Sequence, residues 1–580
     1  MKYRVSYKVA GLLFVLPLFA CEDQQNADKI LHNAEIWTVD QEQPEASALA
    51  IQDGRILAVG GEAEVMDYQG TETEMMDLDG AMVLPGFQDN HVHFASAARF
   101  LEFNIMQVSE QDEFVDRVED VTQRLDEGEW ILGGYWGAYD DWEAGAAEAR
   151  GETRFTPDVS LVEEVTENYP MFIRRFDSSE YAVNQTAVDE AGVDPEDPVV
   201  EDVEFEIDEQ GRPTGIVRGD GVETLFDPHI PDDFSRDRRL EQTRNALEEM
   251  AKFGVTSVSD MSDDIQVELY EELEDQGELT ARIHYRYHLE RWEELAEENM
   301  QPGYGSDRLR FGSLKGHIDG IMGNSTARFF EPYDHMPDER GSWRRLMLDE
   351  EGEPDPDQFL DYIVNADDAG LQLTIHAIGD EANNLLLDLY EQMEEINGER
   401  DRRFRLVHAQ VMQEEDIERM GELGMIAEVQ PIHLSDDMRW MEERIGSDRS
   451  EGAYAFRSID ESGALLSFGT DWPGTAASEY PINPMLGLYA ATTRKTLAGE
   501  PEGGWFPDER IDLETAVEAY TINTAYANHM EDLIGSIEAG KKADLSVWEQ
   551  NIFEIEPEEL LENETLYTLI DGEVIYSRDR

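Results

Sequence analysis

The sequence predicts an α/β fold built on a TIM (β/α)8 barrel, joined to a small β-sandwich domain assembled from both chain ends. Two observations carry this reading. Beyond residue 83, short apolar runs alternate with segments whose apolar residues recur at helical spacing, the pattern of a parallel sheet with crossover helices. Eight such runs precede residue 539, enough to close a barrel, and Gly254, Gly370 and Gly424 each stand where a helix ends before the next run.

Taken in order, the chain opens with a basic stretch, Met1-Lys2-Tyr3-Arg4 with Lys8, and an apolar run from Val9 to Ala20 too short to span a bilayer as a stable helix. Leu18-Phe19-Ala20-Cys21 is similar to a bacterial lipobox. Residues 1–21 therefore read as a signal peptide ending at a lipidated Cys21, or as an ordinary secretory signal in which that cysteine is incidental. The expectation is an exported bacterial lipoprotein, on the periplasmic side or cell surface, whose only membrane attachment is the N-terminal lipid. Residues 28–83 read as short strands, with Asp53-Gly54 supplying a tight turn. Residues 539–580 return to strands, with a second turn at Asp571-Gly572, and are expected to complete the same β module.

The barrel strands are expected at Val83 to His93, Val255 to Asp260, Ala281 to Leu289, Leu309 to Asp319, Leu371 to His376, Phe404 to His408, Met425 to Gln430 and Leu465 to Asp471. Helical spacing marks Phe234 to Phe253, Asp357 to Ala369 and Glu414 to Leu423 between them. The barrel domain thus covers 84–538. The gap after its first strand is too long for a βα connection, so 100–232 is expected to be an inserted subdomain. Within it Glu110 to Leu125 reads as a helix, Trp130 to Trp136 as a strand and loop, and Asp194 to Asp208 as an acidic surface excursion.

Composition limits the partners. Asp and Glu number 131 against 45 Lys and Arg in 580 residues, a formal net charge of −86. Such a surface repels nucleic acid, whose phosphates need clustered Lys and Arg, and it repels anionic lipid headgroups. The acids are spread along the whole chain, which suits a solvated surface in high salt and a halophilic source. With one cysteine, neither an intrachain disulfide nor a multi-cysteine metal site can form.

The chemistry is read from strand ends. In Gly86-Phe87-Gln88-Asp89-Asn90-His91-Val92-His93, residues i and i+2 of a strand point the same way, so His91 and His93 can aim at one ion. His376 ends the fifth strand, His408 the sixth and Asp471 the eighth, at the end of the barrel where catalysis is placed. Alone, each has a plainer explanation: a hydrogen-bonded core histidine, or an Asp471 that caps a helix. Together, several imidazoles and a carboxylate suit a divalent ion such as zinc. Lys315, on the fourth strand, is costly inside a barrel unless it pairs with Asp319, reaches water or is chemically altered.

The order His-x-His, Lys, His, His, Asp over strands one, four, five, six and eight resembles the amidohydrolase superfamily. Leu84-Pro85-Gly86-Phe87 before His91-Val92-His93 matches its opening motif, and Gly535 to Leu545 its closing one. Lys315 with Asp319-Gly320, Thr374-Ile375-His376-Ala377-Ile378-Gly379-Asp380 and the long insertion resemble the branch that includes N-substituted formamide deformylases. The resemblance implies that His91, His93 and Asp471 hold one ion and His376 and His408 another, with a carboxylated Lys315 between them. One departure stands out: Ser179 occupies the place in Arg174 to Asn184 where related sequences tend to have a histidine.

The expected reaction is hydrolysis of a C–N bond in a small-molecule substrate, by a water that one or two divalent ions activate, with Asp471 moving its proton to the departing nitrogen. His317 lines the pocket or orients a ligand from behind. Trp136, Tyr139, Trp142 and Trp472 wall a pocket for an apolar substrate or are ordinary core and surface aromatics. Competing readings are a cyclic amidine deaminase on the same site, which the insertion and Lys315 count against, and a surface-anchored metal- or ligand-binding lipoprotein without turnover.

Overall fold

The computed structural model describes residues 26–578 apart from 107, 134, 138–154, 176–178, 194–199, 201, 208–212, 220, 232–233 and 476–477. Cys21 and its leader, Tyr139 and Trp142 lie outside the described residues. At the centre is an eight-stranded sheet in chain order, every neighbouring pair parallel: β1 (Phe87–Val92), β2 (Val255–Met261), β3 (Arg282–His288), β4 (Leu309–His317), β5 (Leu373–Ala377), β6 (Arg405–His408), β7 (Ile426–Val429) and β8 (Leu465–Phe468). The ring is drawn shut just beyond β8, where the Asp471 amide donates to His91 O at 2.8 Å and the His93 amide to Trp472 O at 2.8 Å.

Alternation along β3, Arg-Ile-His-Tyr-Arg-Tyr-His, explains the layering. Ile283, Tyr285 and Tyr287 pack with Phe311 in the core between barrel and helices, while Arg286 turns inward to Glu428. The helices carry their own start signals: Ser235 caps Arg236–Lys252 and Asp355 caps Pro356–Asp368, each accepting a backbone amide. Gly254, Gly370 and Gly424 take φ of 72°, 85° and 59°, the left-handed turn that ends each helix.

One boundary differs from expectation. The run Val83 to His93 is two strands: Met82–Pro85 pairs with Glu35–Trp37 and Leu545–Trp548 in the β domain, and β1 begins at Phe87. The corner is Gly86, where an added Cβ would lie 2.3 Å from Thr256 Oγ1, so no side chain fits. The two chain ends meet in a six-stranded sheet that runs from Glu573–Ser577 to Glu45–Ala46, facing a four-stranded sheet of N-terminal strands. Leu31, Leu49, Val83, Leu545 and Leu569 fill the space between them. Asp53 and Gly54, and Asp571 and Gly572, all have positive φ, as tight hairpin turns require.

The insertion has a five-stranded sheet and its own core, in which Phe114, Val118 and Val121 of the helix Gln111–Thr122 pack against Ile131 and Ile173. The expected acidic excursion is in part a strand, Glu204–Ile207, paired with Pro213–Arg218. Among the described residues no helix is long and apolar enough to cross a membrane.

Candidate metal centre

The strand ends converge as the pattern requires. Asp471 Oδ1 lies 3.1 Å from His93 Nε2 and 3.5 Å from His91 Nε2. Asp89 ties this corner together: its Oδ1 accepts the His91 and Thr470 amides at 3.0 Å each, and its Oδ2 the Thr470 hydroxyl at 2.6 Å. One buried carboxyl thus sets the positions of both ends of the closure, and burial pushes it up to about 7. His408 and Asp471 both adopt left-handed backbone, φ 75° and 58°, a strained conformation for non-glycine residues that recurs at functional sites.

Two sets of donor atoms lie within 4.8 Å of one another: His91, His93 and Asp471, and His408, His433 and Asp471. This donor set fits a divalent ion of the zinc type, for three reasons. The ligands are imidazole and carboxylate. Burial holds His91 and His408 far below the usual imidazole range, hence in the neutral form that binds metal. Further groups orient the rings: His408 Nδ1 donates to Gln430 Oε1 at 2.7 Å, and His376 Nε2 to Gly320 O at 3.0 Å. Asp471 is ionised; although burial opposes the charge, the imidazoles of His91 and His93 hold its carboxyl well below the usual range.

Lys315 is buried at the cavity floor with Nζ 3.2 Å from His91 Nε2. Its suggested pairing with Asp319 does not occur; that carboxylate instead accepts the amides of Arg328, Ile378 and Gly379 at 2.8, 3.0 and 2.9 Å. Burial lowers the Lys315 amine to about 7. Behind it Arg286 donates to His91 Nδ1 at 3.3 Å and grips Glu428 with two bonds of 3.0 and 2.7 Å, while Arg405 donates to the same carboxylate at 2.7 Å.

His91, His93, Lys315, His317, His376, His408 and Asp471 all line one cavity of about 250 Å3, which His433 and Asp437 also reach. His317 lies beside His376 with the rings tilted and their centres 5.2 Å apart, and the His376 ring lies 4.6 Å from that of His408. A larger cleft of about 640 Å3 lies elsewhere, walled by carboxylates such as Glu414 and Glu509, and contains none of these histidines.

Two aromatic expectations are corrected. Trp136 is buried in the insertion's own core, with the Arg175 guanidinium 6.0 Å from its ring centre, and does not line the cavity. Trp472 packs edge-on against Phe94 at 6.0 Å in the barrel wall. Each follows from burying a large apolar ring where the core has room for it. Asn184, downstream of Ser179, has a structural role: it caps the helix Gln185–Glu190 through the Ala187 amide. Sequence reading missed His433. The rule that singled out His376 and His408, a histidine where an apolar strand ends, does not reach it, because His433 lies four residues beyond β7 in the helix Pro431–Asp437; its one signal is a histidine on the first turn after a barrel strand.

Comparison with known proteins agrees with this geometry. The Amidohydrolase family profile matches residues 74–576. The chain is 32% identical over 566 residues to the Protein LONG AFTER FAR-RED 3 of Arabidopsis thaliana, covering 95% of this chain and 92% of that one. It is 28% identical over 572 residues to the N-substituted formamide deformylase of Arthrobacter pascens, covering 96% and 99%. Among solved structures, an uncharacterized metal-dependent hydrolase from Pyrococcus furiosus superposes with a TM-score of 0.69 at 25% identity, covering 91% of this chain and 99% of that one. With strand order, converging strand-end side chains and a profile spanning nearly the whole described chain in agreement, this protein belongs to the Amidohydrolase family.

Proposed function

We propose that the protein hydrolyses a carbon–nitrogen bond of the amide or formamide type, releasing an acid and an amine. The observation that carries this is the Asp471 carboxylate, within 3.5 Å of both imidazoles of the His-x-His pair and open to the cavity they share. The likeness to an N-substituted formamide deformylase supports the choice of bond. His91, His93 and Asp471 would hold one ion, and His408, flanked by His376 and His433, supplies donors for a second; zinc suits this set. A bound divalent ion supplies an acidified water and polarises the carbonyl oxygen. Asp471 is the group that takes the water's proton and returns it to the departing nitrogen, a role for a carboxylate kept ionised by its neighbours.

Lys315 is suited to carboxylation. A buried amine brought down to about 7 is largely uncharged at slightly alkaline pH, so its nitrogen can add carbon dioxide, losing one proton and becoming a carbamate anion. The layer behind it holds Arg286 and Arg405 against the single carboxylate of Glu428, an excess of one positive charge that the carbamate would offset.

The test is a panel of amides, formamides, cyclic amidines and esters, run with and without chelator, with metal analysis and intact-mass detection of carbon dioxide added at Lys315. Amide or formamide turnover that chelation abolishes, zinc restores and Asp471→Asn removes supports the reading. Turnover of amidines alone transfers the site to deamination, and binding without turnover anywhere defeats the enzyme assignment. We further propose that the mature protein is exported and held to a membrane through lipidated Cys21, and that its acidic surface suits high salt. Loss of palmitate labelling and release of the protein on Cys21→Ser would support the anchor.

A further inference from the structure

Asp437 is a buried carboxyl that the metal centre does not use. It closes the helix Pro431–Asp437, one turn after His433, so the two side chains share a face and both reach the 250 Å3 cavity. It is 7% exposed. Its Oδ2 accepts the Tyr454 hydroxyl and the Gln410 side-chain amide, both at 2.6 Å, and these donors are neutral. Among the described residues no donor reaches Oδ1, and no lysine, arginine or histidine forms an ion pair with either oxygen.

The nearby cations are occupied elsewhere. Arg444 donates to the carbonyls of Met322 and Gly323 at 2.6 and 2.7 Å, and Arg344 at the mouth donates to Asp319 O at 3.1 Å. A carboxylate buried to this degree is normally paired with a cation, because desolvating the charge alone is expensive. Burial, with Asp436 beside it, holds this carboxyl up at about 7, although the Tyr454 and Gln410 hydrogen bonds and the more distant Arg444 guanidinium act in the opposite sense. Apart from the Asp471 carboxylate among the histidines, the cavity therefore offers a second fixed acidic acceptor, held by two short bonds on its other oxygen. The surrounding surface, at net charge −86, raises the local concentration of cations.

We propose that Asp437 is the specificity-determining residue of this pocket and binds a protonated amino group on the substrate through Oδ1. The substrate class becomes amides that also carry an ammonium group. This rests on the reading that the metal-lined cavity is the substrate pocket, but it is tested by binding and so is separable from turnover.

Calorimetry on the metal-loaded full chain, at fixed pH 8 and ionic strength, compares benzylamine with benzyl alcohol, matched in shape but not in charge. The expected result is at least tenfold tighter binding of the amine, reduced to near parity in Asp437→Asn with metal content unchanged. Equal affinity in the natural protein, or binding of neither probe, overturns the proposal. A preference that survives Asp437→Asn also overturns it, since the amine would then be held by the metal or another acid. Should Asp437→Asn fail to fold, a benzylamine-soaked crystal of the natural protein decides: nitrogen within hydrogen-bond distance of Oδ1 supports it, and nitrogen elsewhere sinks it. Hydrolysis of a simple neutral amide with no amine preference would leave the hydrolase reading standing and remove this one.

Discussion

Lys315 Nζ stands 3.2 Å from His91 Nε2, and both groups are wholly buried. Two basic side chains at this distance cannot both be charged in a low-dielectric site. The structure resolves the conflict by holding both down, each chiefly through burial, and His91 is lowered further by Lys315 itself. His91 and Lys315 are thus both disfavoured as cations beside the ionised Asp471, which leaves their nitrogen lone pairs available to an electrophile or a metal ion.

A pH dependence of stability follows in the metal-free protein. In the unfolded chain the Lys315 amine titrates near 10.5, but in the folded chain it titrates near 7. Below 7 both states hold the proton and the lysine adds no slope. Between 7 and 10.5 only the unfolded state holds it, so stability rises with pH across that window. Urea midpoints of chelated protein, compared with those of Lys315→Met, should diverge as pH increases, the natural protein gaining on the variant. A constant difference from pH 7 to 10 would show that the lysine is charged in the fold. In the loaded enzyme the same substitution is expected to lower kcat/KM by about 100-fold, the scale on which groups supporting metal ligands act.

His433 is predicted to matter for metal retention as well as for pocket shape, because its donor atom groups with those of His408 and Asp471. His433→Ala should weaken one ion's affinity by about 10-fold to 100-fold while the His91–His93–Asp471 ion stays. Metal content after graded dialysis against a chelator reads this directly. Loss of neither ion would make His433 only a wall of the cavity.

The contrast between His376 and Trp136 shows what could be read in advance. His376, His408 and Asp471 were legible because barrel chemistry is confined to strand ends, and a strand end is a local feature of sequence. Lys315 was legible as an anomaly, a charge in an apolar run. Trp136 was not, because whether an aromatic on a two-residue strand faces a cavity or a core depends on how the insertion packs, which no local pattern at that position reveals. The Arg286–Glu428–Arg405 layer was invisible for a related reason: its members come from three strands, and each alone looks like a surface charge. The strand break at Gly86 was marked only by Pro85-Gly86, which reads equally well as the entry to a single strand because apolar residues stand on both sides.

That break makes a prediction about Gly86. An alanine there would put its Cβ 2.3 Å from Thr256 Oγ1 and 2.4 Å from its Cγ2, against a β-branched side chain on β2 that has little rotamer freedom. Gly86→Ala should destabilise by about 1–3 kcal/mol, the usual scale of overpacking. Thr256→Ala made alongside it should recover part of the loss, since it removes both nearest atoms. Thermal melts of the two variants and the natural protein test the pairing.

The last prediction concerns the charged layer beneath the centre. Arg286 holds Glu428 with two bonds and Arg405 adds a third, and all three side chains are essentially without solvent contact. Removing the carboxylate and removing one guanidinium are therefore not equivalent. Glu428→Gln leaves two buried positive charges facing one neutral amide, beside a third basic group at Lys315, and should cost about 3–5 kcal/mol. Arg405→Met leaves a neutral, doubly bonded Arg286–Glu428 pair. Its cost is mainly the bonds Arg405 made to Glu428, to Asn528 and to the Ala527 carbonyl, about 1–3 kcal/mol. Urea denaturation should thus rank Glu428→Gln as the more damaging change although it alters fewer atoms. The reverse order would mean that water or an ion already compensates the second arginine, and the case for a carbamate at Lys315 as the missing negative charge would weaken with it.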